Sequence, residues 1–165
     1  FREHFKLGEE LIDFDEACIE IRAQHDRFVE IVGREPDYFE AHAVMSKNLN
    51  RAISAVAQEL GLKEQKANFD PAAVVHCGDA DLRMVMRSME PDYEPKEAIM
   101  QTVREMVEGE TVIFVCHPGY LDRFILENSS LTTDRTKEVD ALIDPGLRAW
   151  LESQPDLRLI DYRDL

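Results

Sequence analysis

The sequence predicts an α/β fold, and a short apolar strand together with the helix before it carries most of that prediction. Residues 112–115 form an apolar run rich in β-branched and aromatic side chains, which favours a buried strand. The Pro118-Gly119 pair that follows is typical of a turn. Residues 95–107, just before the strand, have the spacing of an amphipathic helix, and alternating helices and strands are typical of α/β proteins.

The clearest helix is predicted over residues 13–32. Asp13 or Asp15 can cap its N-terminus, and Gly33 follows in the position that commonly ends a helix. Within this helix, His25 is expected to be solvated, because the polar positions of amphipathic helices usually face water. By the same criteria, further helices are predicted over residues 48–60, 95–107, 135–143 and 146–152.

The other segments have weaker signals, and residues 63–68 are polar without a clear periodicity. We expect a short strand or helical turn at 72–75, a loop at 76–78, a helix from Asp79 or Asp81 through Met89, a loop or broken helix at 121–133, and a final strand at 157–160.

A short strand is predicted over residues 37–44, after Pro36. The twofold period of a strand places Glu40, His42 and Val44 on one face. Glu40 and His42 together could bind a cation. Two side chains are nevertheless a weak metal signal, because divalent sites need three or more protein ligands.

His117 lies just after the strand at 112–115, where a loop begins. Ligands of parallel α/β proteins bind at that end of the strands, so His117 is a candidate functional residue. A structural histidine that bonds to nearby backbone fits the same position equally well. Cys116 adjoins it, but neighbouring residues of a strand point to opposite faces, which disfavours a thiol nucleophile paired with His117.

Charge and composition exclude several classes of partner. The chain of 165 residues has 19 Lys and Arg against 34 Asp and Glu, a net charge of −15. Such a chain repels phosphate backbones and anionic lipids, so we expect neither nucleic acid nor membranes as partners. No apolar run approaches the ~20 residues that a membrane span needs. Three cysteines without a CxxC spacing indicate reduced thiols and a cytoplasmic protein.

Two stretches of the sequence together resemble one known family. The first is IRAQHDRFVEIVGREPDYFEAHA at residues 21–43, and the second begins with HPGYLD at residues 117–122. After HPGYLD come Asn128-Ser129-Ser130, Arg135, Glu138, Leu142, Asp144-Pro145 and the closing LRLIDYRDL. This ordered set resembles the middle and C-terminal part of the YdjC-like carbohydrate deacetylases, and residues 62–94 resemble it least.

The resemblance implies a metal-dependent hydrolase that removes acetyl groups from N-acetylated amino sugars such as chito-oligosaccharides. The implied fold is an incomplete, distorted TIM-like β/α barrel that lacks its N-terminal strands, with residues 1–165 as a single domain. The chain begins with Phe1 and lacks the family's N-terminal motifs, so we expect a part of a longer protein or a degenerate relative. Missing strands leave an open edge, which we expect a homo-oligomer or a missing N-terminal segment to cover.

The family's divalent ion, Mg²⁺ or Zn²⁺, is held by an Asp of an Asp-Asp motif, a His of a His-Leu-Thr segment and a His of an Asp-x-His-x-His strand. By resemblance, only the last has a counterpart here: His42, the candidate metal ligand. Glu40 replaces the family Asp, and Val44 stands where the second His would be. If that second His is the ligand, this chain has lost it. We expect a metal in the complete protein and leave open whether this chain alone binds one.

In such an enzyme the ion polarises the acetyl carbonyl and activates a water, while a histidine protonates the departing amine. The resemblance makes His117 the candidate for that acid, or for a group that orients the substrate. Tyr120 and Arg135 are candidates for binding sugar hydroxyls or for supporting the loop. Glu138, three residues after Arg135 on a predicted helix, is expected to be its ion-pair partner rather than a base.

Two functional hypotheses follow. In the first, the chain is the C-terminal part of a deacetylase acting on an acetylated amino-sugar substrate. It would be inactive alone, because one ligand cannot hold a hydrolytic metal. In the second, which the departures at Glu40 and Val44 favour, the chain is a non-catalytic relative that binds a sugar or a partner protein.

Overall fold

The structure, a computed structural model, describes residues 10–41, 46–65, 74–77, 80–88 and 90–165, which form a mixed α/β fold. The described residues divide into two compact units. The first draws on residues 10–65, Val74–Asp81 and Ile160–Leu165, and the second on Leu82–Leu159. The single domain and the TIM-like barrel stay predictions.

Helix α1 (Phe14–Val32) opens the first unit and confirms the helix predicted over residues 13–32. The side chain of Asp13 accepts hydrogen bonds from the backbone N–H groups of Asp15 and Glu16, so Asp13 is the N-cap. The helix ends at Gly33, whose φ of 76° lies in the left-handed region that glycine adopts at little cost.

Helix α2 (Lys47–Leu60) confirms the helix predicted over residues 48–60. Ser46 caps it by accepting a hydrogen bond from the N–H of Leu49, and Gly61 ends it. The two helices bury small and branched apolar side chains against each other, which removes apolar surface from water and holds the unit together. These core residues are Ala17, Cys18, Ala52 and Val56.

The first unit also contains three short strands: β1 (Tyr38–Glu40), β2 (Lys63–Gln65) and β3 (Val74–Cys77). Strand β1 pairs in parallel with β2, and β2 pairs antiparallel with β3. The polar segment after Gly61 thus becomes a strand, because neighbours on both sides satisfy its backbone. The loop predicted at 76–78 is wrong for His76 and Cys77, which lie in β3. Residues 42–44 of the strand predicted over 37–44 lie outside the described residues.

Strand β4 (Ala80–Val85) pairs in parallel with β5 (Thr111–Phe114). The residues of β4 from Leu82 onwards belong to the second unit. The helix predicted from Asp79 or Asp81 is therefore wrong. Leu82 is fully buried, and four pairs of residues join the two strands, so tertiary pairing overrides the local helical preference. Strand β5 is confirmed as a strand, although its residues are half-buried.

The helices of the second unit are α3 (Pro95–Glu105), α4 (Arg123–Asn128), α5 (Thr133–Ile143) and α6 (Pro145–Glu152). Three of them, α3, α5 and α6, agree in position with predicted helices, and α4 is a short helix within the segment predicted as a loop or broken helix. The final strand predicted at 157–160 is wrong: the backbone N–H of Leu157 closes a turn onto the carbonyl of Gln154, 3.3 Å away, and Leu159 is half exposed. With no strand paired to it among the described residues, this run does not satisfy its backbone as a β-strand.

None of the helices among the described residues is both long enough and apolar enough to cross a lipid bilayer.

Candidate functional site

His117 lies three residues beyond the end of β5, in the loop that leads towards α4. The backbone N–H of Val115 still donates to the carbonyl of Val85, 2.7 Å away, so the chain leaves the β4–β5 pair immediately before Cys116. The residue therefore sits at the carboxyl end of a parallel strand pair, where the sequence placed it. That is the end at which α/β proteins bind ligands.

Helix α5 holds the backbone N–H of His117 through a buried carboxylate. The N–H of His117 donates to Oε2 of Glu138 over 2.6 Å, and the hydroxyl of Tyr93 donates to Oε1 over 3.0 Å. Glu138 is 0% exposed and Tyr93 is 5% exposed. Burial, and then the contact with Glu138, raise the pKa of Tyr93 well above its usual value, so its hydroxyl stays a donor.

Helix α5 also holds the carbonyl of His117 through Arg135. Nη1 of Arg135 donates to this carbonyl over 3.4 Å, and Nε donates to the carbonyl of Leu131 over 3.0 Å. The N–H of Gly119 donates to the carbonyl of Arg135 over 3.3 Å. The predicted ion pair between Arg135 and Glu138 is wrong, because both side chains turn to the His117 loop instead.

Tyr120 and Cys116 are the two other side chains of this loop that bear on its chemistry. Tyr120 is 81% exposed, so it is accessible to a ligand, and its predicted role in substrate binding stays a prediction. Burial, with the nearby charge of Glu138, raises the pKa of the Cys116 thiol to about 11. The thiol is therefore protonated at neutral pH, which adds to the argument against a cysteine nucleophile.

The first unit contains a cavity of about 960 Å³ that is lined by residues of α1, α2 and β1, and Glu40 is one of the lining residues. His25 also lines this cavity and is only 9% exposed, so the prediction that it is solvated is wrong. Its Nε2 lies 2.6 Å from Glu35 and its Nδ1 lies 3.1 Å from Asp26. These two carboxylates, Glu35 first, raise the pKa of His25. Sequence reasoning missed the site because Glu35 reaches it from beyond the helix.

The candidate metal ligand, His42, lies outside the described residues. Among the residues that the structure describes, no three His, Cys, Asp or Glu side chains come together to form a metal site. Glu40, at the end of β1, is exposed. The described residues by themselves therefore do not fit a divalent ion.

The comparison of the sequence with protein families decides the family. The model of the YdjC-like proteins matches residues 1–153. The chain belongs to the YdjC-like family. Its match spans both compact units, and it includes both stretches on which the resemblance was first based, apart from the closing residues.

Several relatives of this YdjC-like chain have curated descriptions. Carbohydrate deacetylase 2 of Listeria innocua serovar 6a is 28% identical over 154 residues, covering 92% of this chain and 60% of the relative. The chitooligosaccharide deacetylase of Klebsiella pneumoniae subsp. pneumoniae is 27% identical, covering 95% of this chain and 64% of the relative. The YdjC-like chain thus spans about three fifths of the length of these proteins.

One solved structure supports the fold. A protein of Enterococcus faecalis V583, described as a proposed cellobiose-phosphate cleavage protein, is similar to the YdjC-like chain with a TM-score of 0.69 and 22% sequence identity. The similarity covers 93% of this chain and 61% of that protein. At this level of identity the likeness concerns the fold.

Proposed function

We propose that the chain is the C-terminal part of a hydrolase that removes acetyl groups from N-acetylated amino sugars or their oligosaccharides. Relatives described as carbohydrate and chitooligosaccharide deacetylases support this proposal. The observation that carries it is the placement of His117 at the carboxyl end of β5, with its peptide group held on both sides by α5.

In this proposal the imidazole of His117 is the acid that protonates the departing amine. Water adds to the acetyl carbon and loses one proton to solvent. The C–N bond then breaks, the imidazolium of His117 gives its proton to the departing amine nitrogen, and the acetic acid formed leaves as acetate after losing its proton to solvent. Imidazoles suit this step because they titrate near neutral pH. Tyr120 and Arg135 are the proposed contacts to the sugar, with the exposed Tyr120 ring as the more accessible of the two.

A divalent ion, Mg²⁺ or Zn²⁺, remains part of the proposal for the full-length protein, with His42 as one ligand. When bound, it would polarise the acetyl carbonyl. Among the described residues, no three ligating side chains come together to hold such an ion. Because the resemblance gives only one of the family's metal ligands a counterpart, His42, the chain of 165 residues is expected to release no acetate on its own.

The proposal is tested by measuring acetate release from acetylated chito-oligosaccharides by the full-length protein and its variants. His117→Gln should lower kcat by about 10²-fold or more, because the amine then departs unprotonated. His76→Gln is the matched control, since this histidine is 76% exposed in β3 and should leave kcat unchanged. Equal activity of wild type and His117→Gln would contradict the role of His117.

The alternative is a non-catalytic member of the family that binds a sugar or a protein. Val44 in place of the family's second His, and Glu40 in place of its Asp, favour this alternative. Calorimetric titration of the full-length protein with Zn²⁺, Mg²⁺ and an acetylated chito-oligosaccharide distinguishes the two. Sugar binding without metal binding or acetate release would support the alternative and overturn the deacetylase.

An open sheet edge remains the basis for the proposed self-association. Among the described strands of the first unit, β1 pairs with β2 on one side only. Unpaired edges of this kind invite pairing with another strand. Small-angle scattering of the 165-residue chain should give a mass above that of a monomer, and a monodisperse monomer would contradict the proposal.

A further inference from the structure

We propose that Glu138 and Tyr93 are positioning residues that set the backbone of His117, and through it the direction of the imidazole ring. This inference rests on the proposed function for its consequence in catalysis. Its structural part concerns the chain Tyr93–Glu138–His117, which neither the family match nor the names of the relatives assign. The sequence alone predicts a different role for Glu138, as the ion-pair partner of Arg135.

The first step of the argument is the cost of burying Glu138. A carboxylate removed from water is strongly destabilising unless donors satisfy its oxygens. Here each oxygen has one donor: the backbone N–H of His117 for Oε2 and the hydroxyl of Tyr93 for Oε1. With Glu138 0% exposed, bulk water does not reach its carboxylate. The buried carboxylate therefore requires the His117 peptide to stay in this place.

The second step is that two side chains of α5 bond to the backbone of His117. Glu138 accepts a hydrogen bond from the N–H of His117, and Arg135 donates one to the carbonyl of His117. The N–H of Gly119 also donates to the carbonyl of Arg135. Contacts at both ends of one residue restrict its φ and ψ. Because the Cα–Cβ direction follows from the backbone, these contacts also set the direction from which the ring leaves the chain.

The third step assigns Tyr93 its part. Its hydroxyl donates a hydrogen bond to Oε1 of Glu138, so that Oε2 accepts from the backbone N–H of His117. The backbone carbonyl of Tyr93 in turn accepts from Nζ of Lys137 over 2.9 Å, so Tyr93 is tied to α5 at both its side chain and its backbone. Removing only the hydroxyl would leave Glu138 with one donor and allow its carboxylate to rotate.

The test uses three variants of the full-length protein. Glu138→Gln keeps the shape but leaves one oxygen for two donors, and Tyr93→Phe removes a single hydroxyl. Asp140→Asn is the control, because it makes the same carboxylate-to-amide change at an exposed position of α5. For each variant we would measure kcat and KM for acetate release, and hydrogen exchange of the His117 amide by NMR.

The inference predicts that Glu138→Gln lowers kcat about 10-fold or more with KM changed less than about twofold, because a small misplacement of a catalytic group costs rate rather than binding. Tyr93→Phe, which perturbs the fold less, should lower kcat several-fold. In both variants, hydrogen exchange of the His117 amide should be at least ~10-fold faster than in wild type, and the exchange of the neighbouring α5 amides should change less. Asp140→Asn should change none of these quantities.

Two outcomes would overturn the inference. One is a folded Tyr93→Phe variant with kcat and His117 exchange equal to those of the wild type. The other is a loss of activity that follows global stability, with exchange accelerated equally across the second unit, which indicates a structural role alone. A wild type that releases no acetate would overturn the proposed function instead, and His117 exchange would then decide the positioning by itself.

Discussion

Two histidines of the molecule, His25 and His117, are each bonded to a glutamate, but the glutamates bond to different parts of them. In the first unit, the carboxylate of Glu35 bonds to the ring of His25, 2.6 Å from Nε2. In the second unit, the carboxylate of Glu138 bonds to the backbone N–H of His117, also over 2.6 Å. The first contact engages the imidazole itself, and the second orients the residue that carries it.

The difference teaches what each site can do. The pKa of His25 is raised by its carboxylates, so its ring tends to keep its proton and serves the stability of the unit. At the second site the carboxylate is the fully buried partner, and the contact serves the placement of the loop. A close contact between a carboxylate and a histidine can therefore hold the ring itself, as at His25, or only the backbone that carries the ring, as at His117.

The largest effect is expected for the buried carboxylate. Glu138→Ala removes both acceptors and leaves the N–H of His117 and the hydroxyl of Tyr93 without them, in addition to creating a cavity. We expect the free energy of unfolding to fall by about 2–4 kcal/mol, measured by urea denaturation. Glu35→Ala, which removes a carboxylate that is 63% exposed, should cost less than about 1 kcal/mol. Equal costs would remove the contrast between the sites.

A smaller, pH-dependent effect is expected at His25. Since the folded state raises the pKa of this ring, its contribution to stability is full below the unfolded pKa near 6.5 and is lost as pH rises through the raised folded value. Between pH 5.5 and 8.5, wild type should therefore lose up to about 1 kcal/mol that His25→Gln does not lose.

Urea denaturation at several pH values, compared between wild type and His25→Gln, isolates this contribution from the other histidines. Parallel stability curves for the two proteins would show that the carboxylates do not stabilise a charged ring.

The smallest effect on stability is expected at Tyr120. Because this side chain is 81% exposed, Tyr120→Ala should change the free energy of unfolding by less than about 0.5 kcal/mol. If the ring contacts the sugar as proposed, the same variant of the full-length protein should raise KM for acetylated chito-oligosaccharides several-fold. An unchanged KM would contradict the proposed contact between Tyr120 and the sugar.

Local signals in the sequence were sufficient for the elements whose causes are local. Helix α1 begins after Asp13 and ends at Gly33, as predicted, because a side-chain cap and a left-handed glycine act within a few residues. Strand β5 was found for a related reason, since β-branched residues favour an extended backbone wherever a partner strand exists.

The errors concern segments whose conformation depends on a distant partner. Residues of β4 carry a helical preference, yet pairing with β5 makes them a strand. The run at 157–160 has the apolar residues of a strand but no strand beside it among the described residues. In both cases the backbone follows the hydrogen-bond partners that the fold supplies.

The sequence by itself determined the family, the net charge of −15, and the position of His117 after a strand. Only the tertiary structure decided that Glu138 bonds to the His117 backbone rather than to Arg135, and that His25 is buried against Glu35. The physical reason is that a carboxylate's partner is chosen by which donors share its desolvated surroundings. Spacing along one helix shows which groups are close, but burial decides which contact must form.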